Sequence, residues 1–165
     1  MIRVYQTIVD REHGNCMQAA IASLFNKSLN EVPNFKEFGG DWWEEMMKFV
    51  REQGYEFDGT LYNYNQYRIT NKRIGVQTAK GLRNRFQKLK NMKGVDGYFY
   101  ASVYSPKYYN PDDNPPSTHA VIVDRDLNIV HDVNPNYVNI KSYPESNKLK
   151  YNGVLYVYMI NPVSK

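Results

Sequence analysis

Four residues of this 165-residue chain could together carry out acyl chemistry: Gln6, Cys16, His119 and Asp132. Cys16 is the only cysteine. It follows Gly14-Asn15 and opens the run "CMQAAIASLF". A thiolate is the reactive form of cysteine, and a helix N-terminus stabilises an anion through its unpaired N–H groups. The same N–H groups can hold an oxyanion after attack on a carbonyl. A lone cysteine can equally serve as a small buried apolar residue, so a base decides between the two uses. Of the three histidines, His119 heads the strand-like run "HAVIV", while His13 lies in a polar turn and His131 sits beside Asp132. A two-residue hairpin loop at Arg125-Asp126 would place Asp132 opposite His119, Val121 opposite Val130 and Ile122 opposite Ile129. A carboxylate at that position fixes the imidazole tautomer and stabilises its cation. His131 would then face the other way, because neighbours on a strand alternate. Gln6, ten residues before Cys16, carries a side-chain amide that can donate to the same oxyanion.

The elements that must position these groups follow from spacing. Met17, Ala20, Ile21, Leu24 and Phe25 recur at helical intervals after Cys16, with Asn15 as N-cap and Asn26 at the C-terminal end. Ser28 and Glu31 form a capping-box pattern, repeated by Asp41 and Glu44 before an apolar stripe of Trp42, Met46, Phe49 and Val50 that Gly54 ends. "VYQTIV" near the start alternates as a short strand, and "YEFDGTLYNYNQY" reads as strand or ordered loop. A helix is expected over 79–92, with Ala79, Leu82, Phe86 and Leu89 on one side. "GYFYASVYS", the hairpin "THAVIVDRDLNIVHDV" and "GVLYVYMI" read as strands, and "PKYYNPDDNPPS" as a surface loop before His119. Helices first and antiparallel strands second make an α+β layout, expected to be one domain over residues 1–165.

This constellation resembles the papain-like cysteine peptidases, most closely compact bacterial and phage proteins related to the bacteriocin-leader (double-glycine) peptidases. The likeness rests on Gln6, "GNCMQAAIASLF", "GYFYASVYSP" and "THAVIVDRDLNIVHDVNP". It implies Cys16 as nucleophile, His119 as base, Asp132 as orienting group and Gln6 as oxyanion donor, on N-terminal helices packed against a C-terminal antiparallel sheet. The chain departs from the usual Asp-Cys-Gly-Pro in having Asn15-Cys16-Met17-Gln18, and its glutamine lies farther from the cysteine. Asn134-Pro135 follows Asp132-Val133, which makes Asn134 a rival for the third position. The fold hosts peptidases, amidases, deubiquitinase-like hydrolases, transglutaminases and acyltransferases. Amide, isopeptide and thioester substrates therefore all stay open, and so does hydrolysis against transfer.

Two other readings use overlapping residues. Cys16, His13, His119 and His131 are zinc-ligand types, but structural zinc sites carry several cysteines and the two strand histidines should face opposite sides. No metal or cofactor is expected. Segment 68–93 carries Arg68, Lys72, Arg73, Lys80, Arg83, Arg85, Lys88, Lys90 and Lys93 with no acidic residue among them. The whole chain is only +4, so the remainder is net acidic. Such a segment is either a solvated face or a docking surface for an acidic protein, an acidic substrate or nucleic acid, with the upstream tyrosines able to stack on bases. The alternative function is therefore a non-catalytic binding protein. "DWWEEMM" could also mark an interface, although its spacing favours core packing for at least one tryptophan. The start of the chain lacks a signal-peptide apolar region, no apolar run is long enough to span a membrane, and a single cysteine makes no internal disulfide. A cytoplasmic protein acting on a protein or peptide-like substrate is expected, with no membrane partner.

Overall fold

The structure, a computed structural model, describes residues 1–62, 85–113, 116–148 and 151–164. Two α-helices, α1 (Cys16–Leu24) and α2 (Trp42–Glu52), precede and pack against a five-stranded antiparallel sheet. Its strands are β1 (Tyr55–Tyr62), β2 (Phe99–Tyr104), β3 (Thr118–Val123), β4 (Ile129–Asp132) and β5 (Tyr156–Pro162), in the order β1-β5-β2-β3-β4. The content is mixed α and β, with an all-antiparallel sheet.

The helices form where the apolar spacing puts them. α1 buries Ala19, Ala20, Ile21, Ala22, Ser23 and Leu24 against one face of the sheet, where Tyr100, Ala120, Ile122, Tyr158 and Ile160 receive them. α2 adds Met46, Met47, Phe49 and Val50 to the same cluster. Asn26 ends α1 in the left-handed region (φ 56°), and Gly54 does the same after α2 (φ 82°). The Ser28–Glu31 box forms, with Glu31 Oε2 accepting from both the Ser28 N–H and its hydroxyl at 2.7 Å. Both tryptophans are partly buried, and Trp43 packs edge-on against Phe57 and Tyr158.

The sheet is buried on both faces, and the central strands β2 and β3 are therefore almost continuously apolar. Its second face, with Phe99, Ala101, Val103, Val121, Val123 and Val157, is covered by Leu89, Tyr143 and Val154. Leu89 comes from a 3-10 segment at Arg85–Asn91, the described part of the helix expected over 79–92; Ala79 and Leu82 lie outside the described residues. The last strand starts three residues later than the pattern predicts, because a 3-10 turn occupies Tyr151–Gly153.

Two expectations are corrected here. Residues 4–9 form no strand. Their backbone groups bond to partners that are not on one neighbouring strand: Val4 N–H to Ser23 Oγ (2.9 Å), Gln6 N–H to the Val133 carbonyl (2.8 Å), and Thr7 and Ile8 N–H to Asn15 Oδ1 (3.0 and 2.9 Å). The β3–β4 hairpin also has a longer loop than two residues. Asp124 Oδ1 accepts from the N–H groups of Asp126 and Asn128, and Leu127 takes a left-handed φ of 62°. The register becomes Val121↔Asp132, Ile122↔His131 and Val123↔Ile129, with an irregularity after Ile122. At the site this is a shift of two residues, which preserves the face each side chain occupies.

Candidate active site

Cys16 is the first residue of α1 and is partly exposed. Asn15 occupies the N-cap position, but its side chain makes no capping bond. Its Oδ1 instead turns back to the Thr7 and Ile8 N–H groups, while its Nδ2 donates to Gln18 Oε1 at 3.0 Å. The expected capping role is therefore corrected: Asn15 ties the N-terminal segment to the helix start. No side chain closes the first turn, so its N–H dipoles stay available to an anion at Cys16. Gly14 permits the approach, since a Cβ there would meet the Asp10 carbonyl oxygen at 2.4 Å.

His119 is the second residue of β3 and pairs across β2 with Val103. Its Nε2 donates to Asp132 Oδ1 at 2.7 Å, with both side chains almost wholly buried. The contact is diagonal across the hairpin rather than directly opposite, within the reach of such side chains. With Nε2 on the carboxylate, Nδ1 is the nitrogen left for the thiol, and the ring and Cys16 line one cleft and act on each other electrostatically. Tyr137 packs edge-on against the imidazole, ring centres 5.5 Å apart.

Asp132 is the most completely bonded member. Its Oδ1 also accepts from the Asn134 backbone N–H (2.8 Å), and its Oδ2 accepts from the Tyr143 hydroxyl (2.6 Å). Burial and the neighbouring carboxylate push the Tyr143 phenol well above its ordinary range, so it remains a donor.

The electrostatics of the pair run in opposite directions. Burial pushes the Cys16 thiol up, but the His119 hydrogen bond and charge, the Ala120 N–H and the Lys36 charge outweigh it, and the thiol ends below its ordinary value. Burial pushes His119 down, and the bonds to Asp132 and Cys16 overcome that, carrying it up to about 9. A lowered thiol beside a raised imidazole favours the thiolate–imidazolium form of the pair.

Gln6 is buried in the same cleft, which has a volume of ≈ 520 Å³ and is lined by Cys16, His119, Asn134 and Trp42 among others. Its Nε2 donates to the Ile8 carbonyl at 2.9 Å. An amide carries two N–H bonds, so one remains for a ligand in the cleft. Asn134, the rival third residue, caps the 3-10 turn Pro135–Tyr137 by accepting the Asn136 N–H (3.0 Å), and Asp132, not Asn134, meets His119.

The other expected groups lie elsewhere. His131 bonds the Val4 carbonyl (2.9 Å) and stacks edge-on with Tyr5, and His13 is exposed beside Asp10. Neither joins Cys16 and His119, and among the described residues no group of three or more His, Cys, Asp or Glu side chains is arranged to hold a metal. Arg68, Lys72, Arg73, Lys80 and Arg83 of the basic segment lie outside the described residues, while Lys88, Lys90 and Lys93 are exposed. No helix among the described residues is long and apolar enough to cross a membrane.

The sequence reading missed Tyr143 and Lys36. "KSYPES" contains no periodic signal, and only the fold brings Tyr143 to Asp132. Lys36 precedes α2 in a 3-10 segment, and its charge acts on Cys16 across the cleft. Comparison with protein families, with curated proteins and with solved structures found no match for the chain.

Proposed function

We propose that this is a papain-like thiol enzyme that cleaves or transfers an acyl group at an amide, isopeptide or thioester bond. The observation that carries the reading is the Cys16–His119–Asp132 array, set at an uncapped helix start and open to a cleft. In the proposed reaction the Cys16 thiolate attacks the carbonyl carbon and an S–C bond forms. The oxyanion rests on the Cys16 N–H and the free Gln6 N–H. His119 gives its Nδ1 proton to the leaving group as the bond to carbon breaks. The neutral imidazole then takes a proton from water or another acceptor, which attacks the thioester and restores the thiol. Asp132 keeps the ring in one tautomer and stabilises its cation.

A free thiol suits a reducing compartment, so the protein is proposed to act in the cytoplasm, and its substrate is proposed to be protein or peptide-like. The test is an electrophilic probe, either a peptide thioester, which transfers its acyl group to the thiolate with loss of a thiol, or a peptide vinyl sulfone, to whose β-carbon the thiolate adds. Wild type should form a covalent adduct at Cys16, and Cys16→Ala and His119→Ala should not, while remaining folded by circular dichroism. An equal adduct yield in His119→Ala would overturn the proposal. A second reading, docking of nucleic acid or an acidic protein on segment 68–93, draws on the exposure of Lys88, Lys90 and Lys93. It expects binding that weakens with salt and is lost in Lys88→Glu/Lys90→Glu/Lys93→Glu.

A further inference from the structure

The turn after β4 holds a side-chain amide that the proposed reaction leaves unused. The Asn134 backbone N–H donates to Asp132 Oδ1 at 2.8 Å, its carbonyl accepts the Tyr137 N–H at 3.0 Å, and its Oδ1 accepts the Asn136 N–H at 3.0 Å. Its Nδ2 donates to no group among the described residues. The bond at Oδ1 settles which way the amide faces. Turning it over would set its N–H₂ against the Asn136 N–H, two donors face to face. The N–H₂ end therefore points away from the 3-10 turn.

Buried polar groups are normally paired. Among the described residues, the buried side-chain atoms without a partner are Gln6 Oε1, Asn34 Oδ1 and the Tyr104 hydroxyl. Asn134 Nδ2 is not one of them, so it reaches open space although the residue is only 2 % exposed. The space that Asn134 lines is the cleft of Cys16 and His119. The residue is also tied to both of its neighbours in the proposed machinery. Asp132 Oδ1, which takes the Asn134 backbone N–H, is the oxygen that holds His119 Nε2 at 2.7 Å. The carbonyl just before it, that of Val133, takes the Gln6 N–H at 2.8 Å. A donor held this firmly loses little freedom when a ligand meets it.

Resting on the thiol acyl-transfer reading above, we infer that Asn134 is a substrate-binding residue, whose Nδ2 donates to a backbone carbonyl oxygen of a peptide-like substrate other than the carbonyl under attack. A neutral N–H₂ group suits a neutral acceptor, and the backbone carbonyl is the acceptor that recurs in every peptide whatever its side chains. The reacting carbonyl has its own donors in the Cys16 and Gln6 N–H groups. Asn134 adds affinity for the chain and takes no part in making or breaking bonds.

The experiment compares two p-nitrothiophenyl thioesters, one of acetate and one of N-acetyl-tetraalanine. With either, the Cys16 sulfur bonds to the carbonyl carbon, the C–S bond breaks, and the coloured thiolate that departs gives the rate. The acetyl thioester has only the reacting carbonyl, whereas the peptide adds backbone carbonyls. Asn134→Ser keeps an oxygen for the Asn136 N–H, serine being a favoured cap, and removes the N–H₂. Asn134→Ala removes both. The ratio of second-order rate constants, peptide over acetyl, should fall by ~3- to 10-fold in both variants, the worth of one neutral hydrogen bond. An unchanged ratio with both rates kept would overturn the inference. So would an unchanged ratio with both rates lowered, which would place the action of Asn134 on Asp132 or on the reacting carbonyl. A ratio that falls in Asn134→Ala alone would assign the effect to the cap and overturn it too. Iodoacetamide is the control for the underlying reading. Rapid alkylation that depends on His119 leaves the thiol enzyme standing whatever the ratio does, and slow alkylation independent of His119 removes the reading on which the inference rests.

Discussion

The two sides of the cleft are built by different means. On the sheet side, His119 and Asp132 belong to adjacent strands, both are buried, and both carboxylate oxygens of Asp132 have donors. On the helix side, Gln6 and the loop to Cys16 lie in no helix or strand; a few scattered bonds hold them, among them the Gln6 N–H on the Val133 carbonyl and the two backbone N–H groups that Asn15 accepts. The Gln6 Oε1 atom is buried with no hydrogen-bond partner. A ladder distributes its support over many bonds, so one substitution on the sheet side should alter chemistry more than stability. A loop held by a few scattered bonds concentrates its support, so one substitution at Asn15 should alter stability and chemistry together.

The comparison is broken most forcefully at the reacting groups. Cys16→Ala should abolish covalent turnover with little change in Tm, as measured by acyl-probe labelling and calorimetry. Asp132→Ala should reduce turnover by about 10²- to 10⁴-fold, the range for general acid–base groups, whereas His131→Ala and Asn134→Ala should stay within about tenfold of wild type. An inactive Asn134→Ala beside an active Asp132→Ala would move the orienting role to Asn134.

Asn15→Ala tests the other side. It removes the buried Asn15 side chain and the bonds it accepts from the exposed residues Thr7 and Ile8, each worth about 0.5–1.5 kcal/mol net. The expected outcome is a Tm several degrees lower and slower Cys16 labelling in the same variant. A labelling defect with unchanged Tm would contradict the contrast between the two sides.

Smaller effects sharpen it. Tyr143→Phe removes one bond to an ionised carboxylate, about 1.5–3 kcal/mol when intact, and leaves Asp132 bonded to His119 and Asn134 N–H. The carboxylate loses a donor that competes for its charge and holds the imidazolium more strongly, so the alkaline limb of turnover should move to higher pH with the fold intact. In wild type that limb is expected near pH 9, where His119 loses its proton. Stability follows the same group: because its folded pKa is raised, its contribution is complete below about pH 6.5 and is lost as pH rises through about 9. Cys16 acts in the reverse sense, since its lowered pKa adds stability at alkaline pH that disappears as pH falls through the folded value.

Much of this arrangement was legible in the sequence where local physics decides it. α1 and α2 follow their apolar spacing, Asn26 and Gly54 end them in the left-handed region, and the strands at Phe99–Tyr104 and Thr118–Val123 are the apolar runs. The His119–Asp132 contact was expected from a hairpin of the wrong register, and it survives because a two-residue shift keeps each side chain on its face. What the sequence did not disclose depends on partners far along the chain. Residues 4–9 alternate like a strand but spend their N–H groups on Ser23, Asn15 and Val133. Asn15 has the composition of a cap and serves a different bond. Tyr143 meets Asp132 from beyond the 3-10 turn at Pro135–Tyr137, in a segment with no periodic signal.

The most direct test of the central claim is the pH dependence of Cys16 alkylation by iodoacetamide in wild type and in His119→Ala. The account expects wild-type alkylation to be rapid at neutral pH, with its midpoint below the ordinary thiol range, and the midpoint in His119→Ala to move up by at least about one unit, a tenfold loss of thiolate at the lower pH. Superimposable profiles, or a wild-type thiol that reacts only on unfolding, would contradict it.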